Sequence, residues 1–214
     1  MSSQVEETFD APTGKYLADP YEDWARDEGV PVHTGDALDL LTLDTRQWPR
    51  FGVRGALCHL NGHCDFLTVF LIEIAPGAFS APQRHLYEEI CYVVAGRGET
   101  EIDTGDGGKR VIEWKPGSLF AAPMNARYRH RCTSGEPARL ACVNDLRYLM
   151  NLYRNERFLF ETPVSFPERG AGDAAHDLAT MPVGAGVWAH ERAAPLALAQ
   201  GSIGADVVEI PAGT

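Results

Sequence analysis

Between residues 51 and 146 the chain alternates short runs of β-prone apolar residues with turn-forming residues. Two pairs of runs are joined by sequences typical of hairpins: Asn61-Gly62 begins the connection between FGVRGALCHL and FLTVFLIEI, and ETEIDTG meets KRVIEW across GDGG. Further runs, among them EEICYVVAG and ARLACVND, end at Gly or Pro. Many short strands with such turns predict an all-β fold, either an antiparallel barrel or a sandwich.

The segments on either side of this region have a different pattern. Asp19 is a suitable N-cap with Pro20 at the first helical position, and Gly29 is a suitable stop, so a short helix is expected over 20–28. LRYLMNLYRNERFLF, at 146–160, predicts a helical turn or two. The sequence therefore divides into three parts: an N-terminal arm and helix (1–45), a β-barrel (46–150) and a C-terminal extension with partial β character (151–214).

Composition narrows the class of partner. The 214 residues carry a net charge of −11, and such an acidic chain repels nucleic-acid phosphates and anionic lipid. No apolar run approaches the ~20 residues of a membrane helix. The five cysteines are odd in number and lack C-x-x-C spacing, which favours a reducing, cytoplasmic setting over a disulfide framework.

Two short segments hold the residue types that bind metals. His85 and Glu89 are four residues apart, so on one strand they face the same side. Tyr128 and His130 share a face of another strand. Two imidazoles and a carboxylate are a suitable ligand set for a divalent transition metal such as Fe, Mn, Zn or Ni, and leave positions open for substrate or dioxygen. The alternative is an internal hydrogen-bonded pair of His85 and Glu89 without metal.

The spacing of these residues resembles the first motif of the cupin family, G-x5-H-x-H-x3-4-E-x6-G. Gly77, His85, Glu89 and Gly96 match the motif, whereas Gln83 stands at the position of its first His. The resemblance implies a double-stranded β-helix, or jelly-roll barrel, over about residues 46–150.

The second cupin motif, P-x-G-x-x-H-x3-N, is matched less well. It starts at Pro123, but Tyr128 stands at its His and Cys132 at its Asn, and His130 is displaced by two residues along the same face. Of the family's metal ligands, the resemblance implies His85 and Glu89, and the shared strand face adds His130 as the third candidate ligand.

Three other residues are candidates for the cavity. Tyr128 would act as an acid or orient the substrate, Gln83 would hydrogen-bond it, and Cys91 would line the cavity. Each also has a structural interpretation: Tyr128 as a core residue with its hydroxyl paired, Gln83 as a polar residue at a strand end, and Cys91 as an inert buried thiol.

Longer segments resemble the N-terminal half of tandem-cupin (bicupin) proteins related to gentisate-type dioxygenases. They are HLYEEICYVVAGRG, SLFAAPMNARYRH and MNLYRNERFLF. VEIPAG at 208–213 repeats IEIAPG at 72–77, so the C-terminal extension resembles the start of a second cupin unit. The strand ADVVEI would then lack a barrel of its own, and we expect it to pair with the 46–75 region of the same chain or of a second chain, giving a homodimer.

Two functions follow from the resemblance. One is a metal-dependent cupin that acts on a small organic molecule, with oxygenation as the favoured reaction. The other is a non-catalytic cupin module with a depleted metal site, which binds a small ligand or supports dimerisation. The metal-binding role of His130 distinguishes the two.

Overall fold

A computed structural model describes most of the chain, and two β-sheets dominate it. The described residues are 19–62, 66–104, 107–164, 166, 175–182, 184–185, 192–195 and 205–209. The predicted arm at 1–18 lies outside them. The helices among the described residues are α1 (Pro20–Asp27), α2 (Leu146–Tyr153) and α3 (Glu156–Glu161).

In the part of the chain that the structure describes, ten strands lie before α2 and four short ones after α3. The first ten are β1 (Val32–Gly35), β2 (Arg46–Trp48), β3 (Val53–Leu60), β4 (Thr68–Ile74), β5 (Glu89–Ala95), β6 (Gly98–Asp103), β7 (Lys109–Trp114), β8 (Ser118–Ala121), β9 (Tyr128–Cys132) and β10 (Ala138–Asn144). The last four are β11 (His176–Asp177), β12 (Gly184–Ala185), β13 (Arg192–Pro195) and β14 (Asp206–Glu209).

The larger sheet has eight strands in the order β1-β3-β4-β10-β5-β8-β11, with β2 also paired to β3. A second sheet has the order β7-β6-β9. Every pairing in these sheets is antiparallel except β1 with β3. The larger sheet includes β1 and β11, so its strands come from beyond residues 46–150 as well as from within them.

Alternation along the strands explains how the two sheets form one core. Phe70 and Ile72 of β4 belong to the main apolar cluster, whereas Leu71 between them packs on the opposite face with Ala56 and Cys58. Successive side chains of a strand point to opposite faces, so a run such as TVFLIEI can contribute to both clusters. The main cluster also contains residues of β6, β7 and β9, and it therefore joins the two sheets.

Helix α1 packs against this core. Asp19 accepts a hydrogen bond from the backbone N–H of Glu22, and Gly29 has a φ of +66°, so the expected start and stop of the helix are confirmed. Tyr21 and Trp24 are buried on its inner face and belong to the main cluster.

The all-β prediction and both hairpins are confirmed. Strands β3 and β4, joined through Asn61-Gly62, pair antiparallel, and so do β6 and β7. The apolar segment at 146–160 forms α2 and α3. None of the helices in the described part of the chain is long and apolar enough to cross a membrane.

The pairing expected for the terminal strand within the chain was wrong. β14 pairs antiparallel with β13, which also pairs with β12, and the three form a small sheet of their own. The prediction overlooked the β-forming segment at 192–195, which supplies a partner close in sequence. Local pairing closes a shorter loop than pairing with residues 46–75, and so costs less entropy.

Gly98 is a position where any side chain would meet the core. A Cβ atom there would lie 2.1 Å from the carbonyl oxygen of Arg131 and 2.3 Å from the ring of Trp114. We predict that Gly98→Ala lowers the free energy of unfolding by roughly 1–3 kcal/mol, as overpacked cores do. Urea denaturation measures it. Gly135→Ala is the matched control, because its Cβ would meet nothing within 4 Å; equal effects of the two variants would contradict this packing.

Candidate metal centre

Four potential metal-ligating side chains meet between the two sheets. They are Glu89 and Cys91 of β5, Cys142 of β10 and His130 of β9. One donor atom from each lies within 4.8 Å of the others, and all four residues are buried. We call this set the four-donor cluster.

Strand register brings the cluster together. Glu89 and Cys91 are two residues apart on β5 and face the same side. Cys142 lies opposite Cys91 in the β5–β10 pairing, and their sulfur atoms are 3.4 Å apart. His130 comes from the facing sheet, so the cluster spans the interior from one sheet to the other.

Two atoms of the cluster lack hydrogen bonds. Within the described part of the chain, Oε2 of Glu89 and Nε2 of His130 are buried without a hydrogen-bond partner. An unpaired buried polar atom typically costs about 1–3 kcal/mol. A cation between them would remove both costs, so the donor set fits a transition metal, for which carboxylate, imidazole and thiolate are all ligands.

The second nitrogen of His130 is held in place. Its Nδ1 lies 2.8 Å from the hydroxyl of Thr100, and that hydroxyl accepts a hydrogen bond of 3.0 Å from Nε1 of Trp114. A histidine that binds metal commonly donates its other N–H to such a neighbour. Burial lowers the pKa of His130 to about 4, so the ring is neutral at physiological pH.

His85 lies beside the cluster with both ring nitrogens hydrogen-bonded. Nδ1 donates to the backbone oxygen of Tyr87 at 2.7 Å, and Nε2 lies 2.8 Å from the hydroxyl of Tyr128. The ring of Tyr87 stacks on the imidazole with a centroid distance of 3.5 Å. Burial lowers the pKa of His85 to about 3.

Tyr128 connects His85 to Glu89. Its hydroxyl lies 2.6 Å from Oε1 of Glu89 as well as 2.8 Å from Nε2 of His85. A phenol has one proton to donate, and here it donates either to Nε2 of His85 or to Oε1 of Glu89. The second contact is a hydrogen bond only if its partner carries a proton of its own. Burial raises the pKa of Glu89 to about 7, which places that proton on its carboxyl group below neutral pH.

Gln83 is turned away from the cluster. Its amide nitrogen donates to the backbone oxygens of Arg50 at 2.9 Å and Ala81 at 3.1 Å. It lines a surface cavity of about 590 Å³ whose other lining residues are Glu28, Pro49, Arg50, Pro82, Arg84, Arg127 and Phe160. None of these belongs to the four-donor cluster.

A second cavity comes closer to the buried groups. It has a volume of about 240 Å³ and is lined by Pro82, Glu101, Asp103, Lys109, Arg127, Tyr128 and Arg129. Tyr128 is 2% exposed, yet it lines this cavity and contacts Glu89. It is therefore the link between the surface and the interior.

The sequence analysis identified most of these residues as candidates, but it did not predict how they are arranged. Glu89, Cys91 and His130 meet in the cluster, and His85 and Tyr128 adjoin it. Cys142 was missed, although its alternation with Leu140 in ARLACVND placed it on the inner face. No spacing in the sequence marked Cys142 as a ligand, because Cys91, the residue opposite it, is distant in the sequence.

A comparison with protein families agrees with this architecture. The family described as "Cupin domain" matches residues 70–144, which span β4 to β10 and include the whole cluster. Residues 70–144 are therefore similar to a cupin domain. The fold expected from the sequence is thus confirmed as a cupin β-barrel, and two of the family's motif histidines are replaced by Gln83 and Tyr128.

Solved structures with the cupin fold are similar to this chain. The Cnp3 cupin domain of Schizosaccharomyces pombe is 16% identical with a TM-score of 0.43, over 55% of this chain and 79% of that chain. A cupin 2 conserved barrel domain protein of Salinispora arenicola is 19% identical with a TM-score of 0.40, over 56% and 95%.

Oxalate decarboxylase of Bacillus subtilis, a protein with Mn(II) centres, is 14% identical with a TM-score of 0.48. The match covers 71% of this chain and 52% of that chain, so this chain spans about half of it. No curated protein matches this chain. The relation to gentisate-type dioxygenases stays a prediction.

The buried groups predict how stability depends on pH in the metal-free protein. Between pH about 4 and 6.5 the folded chain keeps His130 neutral while the unfolded chain protonates it, so the free energy of unfolding falls as pH drops through this window. His85 acts in the same direction. Glu89 acts oppositely: the folded chain holds a proton between pH about 4.5 and 7 that the unfolded chain lacks, and this contribution is lost as pH rises.

We therefore expect Glu89→Gln to steepen the rise in stability between pH about 4.5 and 6.5 and to abolish the decline towards pH about 7 and above. Urea denaturation with a chelator present measures both. Glu113→Gln, on an exposed carboxylate of β7, should leave the wild-type profile unchanged. A Glu89→Gln profile parallel to wild type would show that Glu89 is ionised in the folded chain.

Proposed function

We propose that this cupin domain binds a divalent transition metal ion inside its barrel, with Glu89 and His130 as ligands from opposite sheets. One observation carries the proposal: Oε2 of Glu89 and Nε2 of His130 are buried in the same cluster and lack hydrogen-bond partners among the described residues. A fold that buries such atoms without compensation would lose stability, and a cation compensates both.

The neighbouring groups support binding at this point. Thr100 and Trp114 hold the imidazole of His130 through its other nitrogen, as expected of a metal-binding histidine. The hydroxyl of Tyr128, which also contacts Nε2 of His85, occupies the other oxygen of Glu89, and this fixes the direction of the free one. His85, a ligand in the sequence-based hypothesis, thus serves to orient Glu89 through Tyr128.

In this function the domain is a metal-binding module rather than an open catalytic site. Glu89, His130, Cys91 and Cys142 are each at most 3% exposed, and the two surface cavities are lined by other residues. A small organic molecule in the larger cavity, beside Gln83 and Arg50, would not reach the ion.

We predict that the purified, metal-loaded protein retains about one ion per chain, and that Glu89→Gln and His130→Gln each lose most of it, because each removes a ligand. Elemental analysis after gel filtration measures the content. Glu88→Gln is the matched control, since this neighbouring carboxylate is 8% exposed and lies outside the cluster. Retention of metal by both ligand variants, or its absence from wild type, would refute the proposal.

A second candidate is a metal-dependent enzyme that acts on a small organic molecule, with oxygenation as its reaction. It is favoured by Tyr128, which lines the 240 Å³ cavity while its hydroxyl contacts Glu89. In that function the phenol passes a proton between a substrate in the cavity and the Glu89 carboxylate. The ion, when bound, would supply Lewis-acid or oxygen-activating chemistry.

Tyr128→Phe separates the two candidates. If the protein is an oxygenase, dioxygen uptake by the Fe(II)-loaded wild type in the presence of gentisate or a related dihydroxybenzoate falls by about 100-fold or more in the variant, a typical loss for a general acid. Its iron content should stay unchanged. An absence of uptake by the iron-loaded wild type with these substrates favours the metal-binding module.

A further inference from the structure

We propose that Cys91 and Cys142 bind the same ion as Glu89 and His130, completing a closed four-coordinate site that prefers zinc. The inference rests on the proposed function and goes beyond it in naming the metal, its geometry and its role. Neither thiol occupies a position of the two sequence motifs, so this site lies beside the one that the motifs describe.

Strand pairing has already brought the two sulfur atoms to a metal-binding separation. They lie 3.4 Å apart, and Sγ of Cys91 lies 3.7 Å from Oε1 of Glu89. Two thiolates on tetrahedral zinc, with Zn–S bonds of ≈ 2.3 Å, are separated by about 3.8 Å. The two sulfur atoms therefore need to separate by only a few tenths of an ångström to bind one zinc ion, and the four donor atoms already lie within 4.8 Å of one another.

Donor chemistry selects the metal. Thiolates favour zinc over manganese or magnesium, and two sulfurs with one imidazole and one carboxylate make up the usual number of ligands for structural zinc. With all four positions filled by protein, no coordination position is left for substrate. This agrees with the burial of every member of the cluster.

Other buried cysteines provide a contrast. Cys58 and Cys132 are also buried, at 1% and 0% exposure, and both are free thiols. Cys58 packs with Ala56 and Leu71, and the sulfur of Cys132 contacts the backbone oxygen of Glu136. In the described part of the chain, only Cys91 and Cys142 belong to a group with metal-ligand geometry.

A zinc ion at this place would cross-link the sheets. β5 and β10 supply three ligands from the larger sheet, and β9 supplies His130 from the smaller one. Because the ligands assemble only in the folded chain, the free energy of binding adds to the free energy of folding. The ion therefore has a structural role.

Cobalt(II) substitution tests the inference on the intact wild-type chain. We expect one Co(II) per chain, intense visible bands typical of tetrahedral coordination, and a near-ultraviolet charge-transfer band from thiolate to cobalt, all displaced by added zinc. Weak octahedral bands without the charge-transfer band would overturn the thiol ligation and leave the proposed function standing. No cobalt or zinc binding at all would refute both.

Single variants assign the ligands. Cys91→Ala and Cys142→Ala should each weaken zinc binding by at least about tenfold, because loss of a residue that only hydrogen-bonds a ligand already costs about that much. Each variant should also lose intensity in the thiolate-to-cobalt charge-transfer band. Cys58→Ala and Cys132→Ala are matched controls that should bind zinc as wild type does. Unchanged affinity in the first pair would overturn the inference, and circular dichroism verifies that every variant is folded.

Discussion

Burial of the Glu89 carboxyl group between two sheets is the constraint on which the interior depends. A carboxylate at this depth needs compensation, and the chain provides it on one side only: Tyr128 contacts Oε1 while Oε2 has no partner among the described residues. The pKa of Glu89 is raised to about 7 for the same reason, because burial without a nearby positive charge favours the neutral carboxyl group. The three neighbouring donors define where a compensating cation would lie.

The cluster also explains a change from the motif of the family. Tyr128 stands where the motif has a histidine, and its hydroxyl joins His85 and Glu89 in one hydrogen-bonded chain. Both ring nitrogens of His85 are hydrogen-bonded, and His85 is linked to the Glu89 carboxyl group through the hydroxyl of Tyr128. In the proposed site the ligand from β9 is His130, which lies two residues beyond Tyr128 on the same inner face. The alternation of a strand permits this shift, because residues two apart share a face.

Packing and hydrogen bonds hold the side chains around the cluster in place. Trp114 fixes Thr100, which in turn fixes His130, and Gly98 lets the indole lie against the β6 backbone. Stacking of Tyr87 on His85 holds the second imidazole in the same way. In the proposed metal site, ligands held in this way would lose little conformational entropy when an ion binds.

The sequence by itself determined the strands between residues 51 and 146, the two hairpins, the cap of α1 and the inward faces that carry Glu89, Cys91 and His130, since alternation and turn chemistry are local properties. Only the tertiary structure decided which inward side chains meet. The register of β10 against β5 brings Cys142 opposite Cys91, and the facing sheet brings His130 to both. Cys91 is about 40 to 50 positions from His130 and Cys142 in the sequence, and their meeting depends on how strands that are distant in the chain align, which no local pattern encodes.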